Sequence, residues 1–593
     1  CDLQDQAVGY GSGVSRFLEN KRAVADKDMG PIIKTVMTRC IHCTRCIRFS
    51  EEVAGTPVMG ALSRGENMEI STLEKTITSE MSGNLVDLCP VGALTSKPYA
   101  FKARSWELKK TESIDVLDAV GTNIRVDSYD NEVMRILPRL NESINEEWLA
   151  DKSRYAFDGL KYQRLDTPYI RNQQGKLEAV SWQEALQKVT DIIKGSDTNK
   201  IAALSGDTVN QETLFVAKDL FDNIGITAYD CRSDNAFIGA DSHDQQHIPR
   251  ENYLFNTGIA GLDEADFLLI IGSNPRVEAP IINSRILKNV NNNNLKVAVL
   301  ADIDRDEVSD LHYDYQYLGD DLNALDTADL SALKAANKPA IIVGEQILTR
   351  DDAPAIMAKI ASLVKKHNVV NEGWNGFNIL HTAASRVGGL DIGFTPTNPN
   401  ITNSRDIKVA YRRGVLDALF LIATDEEVQL EPSGDVPVIY IGYHGNSGAG
   451  ELADIILPMA AYTECTGTYV NTQGVSQKAI AAIKPVGEAK EGWKIFKALA
   501  NKLGLEKSLP YNNMAELWQK MAVSETSNAN AYDHNFYKQY RGDEVNTTQP
   551  LRALKVNYYQ TCSISKNSPV MAKCSQAVVK AKADLKQQQK KVA

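Results

Sequence analysis

The sequence predicts an α/β protein: a large domain with parallel sheets, preceded by a small irregular module that carries clustered cysteines. Three observations predict it. Short β-rich runs recur from about residue 175, most of them closing on glycine or a polar turn, with helical stretches between them. Buried strands alternating with helices imply parallel sheets covered on both faces. Five of the nine cysteines fall in the first 89 residues, where Gly and Pro are frequent. At 593 residues the chain is too long for one hydrophobic core, so several domains and more than one sheet are expected.

In chain order, residues 1–110 read as the cysteine-bearing module, with its cysteines in loops. Residues 111–170 read as a small antiparallel β segment, because Asn123–Asp127 and Val133–Leu137 alternate apolar and polar side chains. Residues 171–510 hold the α/β domain. Its first helix is announced by the capping box Ser181-Trp-Gln-Glu184 and an apolar stripe at Ala185, Leu186, Val189, Ile192 and Ile193. Its strands are predicted at Ile201–Ser205, Phe267–Ile271, Val297–Leu300, Ala340–Val343, Leu419–Ile422 and Val438–Ile441. Asn291–Asn294 reads as a polar loop. Residues 511–593 form a C-terminal extension whose last 20 residues, low in complexity and polar, read as a frayed helix or disordered tail.

Charge and hydropathy exclude some functions. The formal net charge is −11, and the first 110 residues carry 15 basic and 13 acidic side chains, so the acidity lies in the large remainder. Phosphate-mediated nucleic-acid binding needs a basic face and is disfavoured. No run of 18 apolar residues exists, so membrane association would come only through other chains.

The chemistry lies in the cysteine spacing. Cys40-x2-Cys43-x2-Cys46 is followed after 42 residues by Cys89-Pro90. Three thiolates two residues apart wrap a loop around three corners of a cubane, and a separate Cys-Pro supplies the fourth, as in bacterial ferredoxins. This pattern points to one [4Fe–4S] cluster. Structural zinc is the alternative, although zinc sites usually bring ligands as two separated pairs. His42 reads as a surface or supporting residue, since its neighbours already supply four ligands. Arg39, Arg45 and Arg48 flank the loop and have two readings: positive charge that raises a cluster's potential, or ordinary solvated side chains. Gly206, Gly272 and Gly344 follow strands, where phosphates can sit but tight turns also need glycine. No nucleophile–base motif stands out.

These residues carry a resemblance. Cys1-Asp-Leu-Gln-Asp-Gln6, Thr38-Arg-Cys-Ile-His-Cys-Thr-Arg-Cys46, Leu88-Cys-Pro-Val-Gly-Ala-Leu-Thr95, Ala265–Pro280 and Ala453–Pro458 with Tyr469-Val-Asn471 resemble the largest iron–sulfur subunit of respiratory complex I, NADH:ubiquinone oxidoreductase. The likeness is to the mitochondrial form. It implies that Cys40, Cys43, Cys46 and Cys89 ligate one [4Fe–4S] cluster. It also implies that Cys1 is the last ligand of a second, whose other ligands are one His and two Cys upstream, with a [2Fe–2S] domain before those. It implies electron relay from an NADH-oxidising flavoprotein module toward quinone-end iron–sulfur subunits, without a substrate site in this chain, on the matrix side of the mitochondrial inner membrane. The large domain resembles molybdopterin oxidoreductases, which begin with a cysteine-bound cluster, whereas Asp118–Leu165 has no cysteine. Cys231 lies broadly in the region of their metal ligand, but the local match is poor and it reads rather as a buried or incidental thiol. The expectation is a retained scaffold without molybdopterin. The rivals are a catalytic molybdenum enzyme and an assembly protein with a zinc knot.

Overall fold

Gly, Pro and Cys interrupt any long periodicity in the first 110 residues, and the structure there is built from short pieces. In the computed structural model, which describes every residue except 1, 20, 73–76, 78, 239–247, 306–309, 425–429, 432, 434–435, 529–539, 541–548, 554–556 and 593, this module contains β1 (Ile33–Thr35), α1 (Arg45–Glu52), α2 (Asn84–Leu88) and β2 (Leu94–Ser96). β2 folds back antiparallel onto β1, with Ile33 opposite Ser96 and Thr35 opposite Leu94. Next comes a three-stranded antiparallel sheet of β3 (Lys109–Ile114), β4 (Asn123–Tyr129) and β5 (Glu132–Pro138). The β4–β5 hairpin closes on Asp130 and Asn131, both with positive φ (47° and 61°), the pair a two-residue turn of this hand demands. The short helix α3 (Asp151–Tyr155) ends this unit, every one of its side chains buried.

The large domain begins with α4 (Trp182–Gly195), whose Ser181–Glu184 capping box is formed in both directions. Its parallel strands are β6 (Ile201–Ser205), β7 (Ala228–Asp230), β8 (Phe267–Ile271), β9 (Lys296–Leu300), β10 (Gln316–Gly319), β11 (Pro339–Val343), β12 (Phe377–Ile379), β13 (Ala418–Ile422), β14 (Val438–Gly442) and β15 (Ile455–Pro458). One sheet runs β7-β6-β13-β14-β15 and is extended by the antiparallel pair Tyr169–Arg171 and Leu177–Ala179. The other runs β10-β9-β8-β11-β12 and is parallel throughout. All five residues of β6, β8, β11, β13 and β14 are buried, as strands covered on both faces must be. Tyr169 and Ile170 pair with Ile456 and Ile455 of β15, and Leu177–Ala179 forms this edge of the sheet.

In the second sheet the strand order reverses between β8 and β11, the place where α/β proteins open a ligand crevice. Here the two strand ends pack closely on neighbouring chain. A Cβ on Gly272 (φ +63°) would lie 2.5 Å from Ile347 Cγ1, and one on Gly344 would lie 2.4 Å from Ser273 Cβ. These glycines make room for neighbouring chain. The polar loop expected at Asn291–Asn294 is corrected: Asn291–Asn293 finish the helix Pro280–Asn293, and only Asn294, in the left-handed region, stops it. Of the two readings of the last residues, helix holds, over Pro569–Val592; its run of Lys, Gln and Ala favours helix despite its polarity.

The C-terminal extension is packed against the body. Ile564 O comes so near Gly159 that a Cβ there would sit 1.9 Å away. His444 is fully buried between these segments, and burial pushes its pKa down to about 4. The neutral ring donates from Nε2 to Gly159 O (3.1 Å) and accepts at Nδ1 from the Ser563 hydroxyl (2.8 Å). Nearby, Asp115 and Asp118 are both buried. Burial, and for Asp115 also the charge of Asp118, raises both carboxyls above the ordinary range, against the opposing pull of Lys152. Asp115 Oδ2 accepts from Ser153 Oγ at 2.6 Å, while Oδ1 is buried without a partner. A raised folded pKa means that the folded chain keeps a proton the unfolded chain releases near pH 4, so stability falls as pH rises from there toward neutrality. Asp115→Asn is therefore expected to stabilise the chain by about 4 kcal/mol at pH 8, by less than half of that at pH 5, and by close to nothing at pH 3, read by unfolding at each pH.

Candidate metal centre

The ladder between β1 and β2 decides what meets. It is continued by a bond from Val36 N to Ala93 O (2.8 Å), so the chain leaving β1 and the chain entering β2 run side by side. Cys40 lies five residues beyond β1 and Cys89 five residues before β2. Cys40, Cys43, Cys46 and Cys89 accordingly line one cavity, together with the apolar side chains of Met37, Ile70 and Leu94. All four are free thiols, with Cys43 exposed and the other three half-buried.

The loop's backbone is shaped for sulfur. His42 and Thr44 take left-handed conformations (φ 53° and 59°), uncommon for residues with side chains. Such turns aim successive N–H groups into a concavity that attracts anions. His42 N donates to Cys40 Sγ (3.5 Å) and Leu94 N to Cys89 Sγ (3.4 Å). His42 thus contributes its backbone. Cys46 lies in the first turn of α1, where the helix dipole is positive. Cys89 caps the C-terminus of α2 and bonds Leu85 O through its own N–H. Of the three arginines, Arg45 lines the cavity, Arg39 donates to Gly92 O (3.5 Å), and Arg48 pairs with Glu52 at 3.1 Å on the surface.

The donor set fits a cluster. Burial pushes the Cys46 thiol up to about 11, and Cys40 and Cys43 add to the rise as like charges. Thiolates crowded this way need a cationic group between them. Zinc sites usually bring their ligands as two separated pairs, whereas here three thiols share one loop and the fourth comes from another segment. A cubane, with an iron for each of four thiolates, takes ligands spread around its faces.

Cys1 lies outside the described residues. Cys231, Cys465, Cys562 and Cys574 are buried. Cys231 packs on Gly389, where a Cβ would come within 2.9 Å of its sulfur, and burial pushes its thiol up to about 12. Sequence reasoning missed the polar contacts that hold α2: Ser82, Gly83, Asn84 and Asp87 meet Asp151 and Arg154, about 70 residues away. No periodicity or motif announces them.

Four family models match the chain. Residues 30–95 match the ferredoxin-like domain of NADH-quinone oxidoreductase subunit 3, and 108–158 the 4Fe-4S domain of NADH-ubiquinone oxidoreductase NDSU1/NuoG-like proteins. Residues 164–502 match molybdopterin oxidoreductase, and 527–574 the C-terminal region of the G subunit of NADH-ubiquinone oxidoreductase. The stretch 108–158 contains no cysteine. The G subunit of NADH-quinone oxidoreductase from Rickettsia bellii (strain RML369-C) is 48% identical over 587 residues, covering 97% of this chain and 82% of that protein. The one from Rickettsia felis (strain ATCC VR-1525 / URRWXCal2) is 47% identical over 588 residues, covering 97% and 83%. Among solved structures, acetylene hydratase from Pelobacter acetylenicus aligns with a TM-score of 0.44 at 14% identity, over 73% of this chain and 74% of that one.

Proposed function

The chain belongs to the NuoG-type family, the G subunits of NADH-quinone oxidoreductase, with a molybdopterin oxidoreductase domain over residues 164–502, and on that premise we propose that it relays single electrons through a [4Fe–4S] cluster ligated by Cys40, Cys43, Cys46 and Cys89. The observation that carries this reading is the cavity shared by these four thiols. When bound, such a cluster takes up and gives back one electron. The chain's own residues do the rest. Four thiolates hold the group from two segments locked together by the β1–β2 ladder. Met37, Ile70 and Leu94 keep water from the cavity, and the N–H groups of His42 and Leu94 offset negative charge on sulfur.

The partners are the other subunits of the NADH-quinone oxidoreductase complex: electrons enter from its NADH-oxidising flavoprotein module and leave toward its quinone-end iron–sulfur subunits. Among the described residues no helix is long and apolar enough to cross a membrane. The relay role between flavoprotein and quinone-end subunits supports a place in the peripheral arm of the complex. The relatives are bacterial; the matrix side of the mitochondrial inner membrane is our proposal on the resemblance alone. Cys1 is proposed as one ligand of a second [4Fe–4S] cluster completed by residues outside 1–593, and any [2Fe–2S] centre would lie there too. The division into 1–110, 111–170, 171–510 and 511–593 is proposed as cluster module, cysteine-free cluster-like unit, scaffold and extension.

The scaffold is proposed to hold no molybdopterin. The close packing at Gly272 and Gly344 and the packed Cys231 support this. Metal analysis of the purified complex tests it. Iron without stoichiometric molybdenum, and without a pterin fluorophore on denaturation, is expected; stoichiometric molybdenum would overturn it and favour a catalytic oxidoreductase.

A further inference from the structure

The cysteine-free unit has a buried polar face to which electron relay itself gives no task. It meets α2, a helix of only five residues, too few to hold by themselves. The orientation of α2 is set from outside, mostly by α3. Asp151 Oδ1 accepts from Gly83 N (2.6 Å) and Oδ2 from Ser82 Oγ (2.5 Å). Arg154 Nη2 donates to Asp87 Oδ2 (2.7 Å) and to Asn84 Oδ1 (3.1 Å). Asn84 Nδ2 reaches Leu149 O (2.9 Å), and Leu149 N returns a bond to Asn84 Oδ1 (3.1 Å). Asp151, Arg154, Asn84 and Ser82 are each 4% exposed or less. The fit admits no side chain at Gly83, whose Cβ would lie 2.8 Å from Arg154 Cδ and 2.9 Å from Asp151 Oδ1. Both ends of α2 are thus determined: α3 grips its first turn and its side, and Cys89 is its C-terminal cap.

We propose that α3 is a clamp for the fourth cluster ligand, with Asp151 and Arg154 acting as positioning residues that fix Cys89 through α2. This rests on the reading of Cys89 as a ligand. A rotation of α2 would carry the Cys89 sulfur with it, because no loop lies between helix and ligand. A cluster-like unit without cysteines would then still serve the relay, as the rigid wall against which the cluster module is registered.

The test uses the intact complex. Asp151→Leu removes both acceptors and leaves the Gly83 N–H buried and unpaired; Asp151→Asn keeps one acceptor and the shape. Ser82→Ala removes a single bond and is the variant to read if Asp151→Leu fails to assemble. The readouts are the g-values and midpoint potential of this cluster by EPR, and its iron-release rate to a chelator. Asp151→Leu is expected to shift the EPR signature and speed iron release by about 10–100-fold, the usual cost of losing an outer-shell partner. Ser82→Ala should move the same way by less, and Asp151→Asn should restore near-native behaviour. Arg164→Met, which breaks an ion pair in the large domain, should lower stability without touching either cluster readout. Native g-values, potential and iron release in both Asp151→Leu and Ser82→Ala would overturn the clamp. A Cys89→Ser complex that keeps the signal would instead overturn the ligand assignment, so the two failures are distinguishable.

Discussion

Replacing Cys43 by serine is expected to remove one [4Fe–4S] EPR signal from the complex, to lower its iron content by about four per chain, and to cut NADH-to-quinone electron flow by roughly 100-fold or more. The hydroxyl is a far weaker ligand than a thiolate, and Cys43 is the most exposed of the four, so water reaches the weakened corner first. One lost centre interrupts a series path, so the functional effect exceeds the local one. Full iron content with full activity in Cys43→Ser would remove this residue from the ligand set.

The largest stability effect is expected at Arg164. Its guanidinium grips Glu464 in two parallel bonds, Nη1 to Oε1 (2.6 Å) and Nη2 to Oε2 (2.7 Å), with side-chain exposures of only 5% and 1%. Arg164 also donates to Tyr443 O (3.3 Å), and Glu464 accepts from Ala461 N (3.0 Å). Arg164→Met leaves a buried carboxylate without its cation and should cost about 3–5 kcal/mol. Because the penalty is the stranded charge, adding Glu464→Leu should recover most of the loss. Denaturant unfolding of both variants checks this. A single variant within about 0.5 kcal/mol of the parent would show that solvent reaches the pair.

Much of the fold was legible because its strands are buried on both faces. Phe267–Ile271 and Ala418–Ile422 offer no polar alternation, and only a covered parallel sheet accommodates such runs. The Ser181 capping box marked a helix start to the residue. Asn291–Asn293 misled because asparagine is a weak helix former, and packing of Ile282, Ile286 and Leu287 carried the helix through them. The polar tail left helix and disorder both open, because low complexity suggests disorder while its residues are good helix formers. At the site, the 3+1 spacing singled out four cysteines that the structure brings around one cavity. Spacing could not reveal how they meet. That depends on the β1–β2 pairing, with partners about 60 residues apart, and on left-handed backbone at His42 and Thr44, neither of them Gly, Asn or Asp. The grip of Asp151 and Arg154 on α2 was equally hidden, since single polar residues far apart in sequence carry no pattern.

An anomalous difference map at the iron edge, from crystals of the intact complex, tests the relay reading most directly. Iron density is expected to fill the cavity bounded by Met37, Ile70 and Leu94, with the sulfurs of Cys40, Cys43, Cys46 and Cys89 as its protein ligands. A single zinc-edge peak there, or iron held by other residues with any of these four thiols left free, would contradict it.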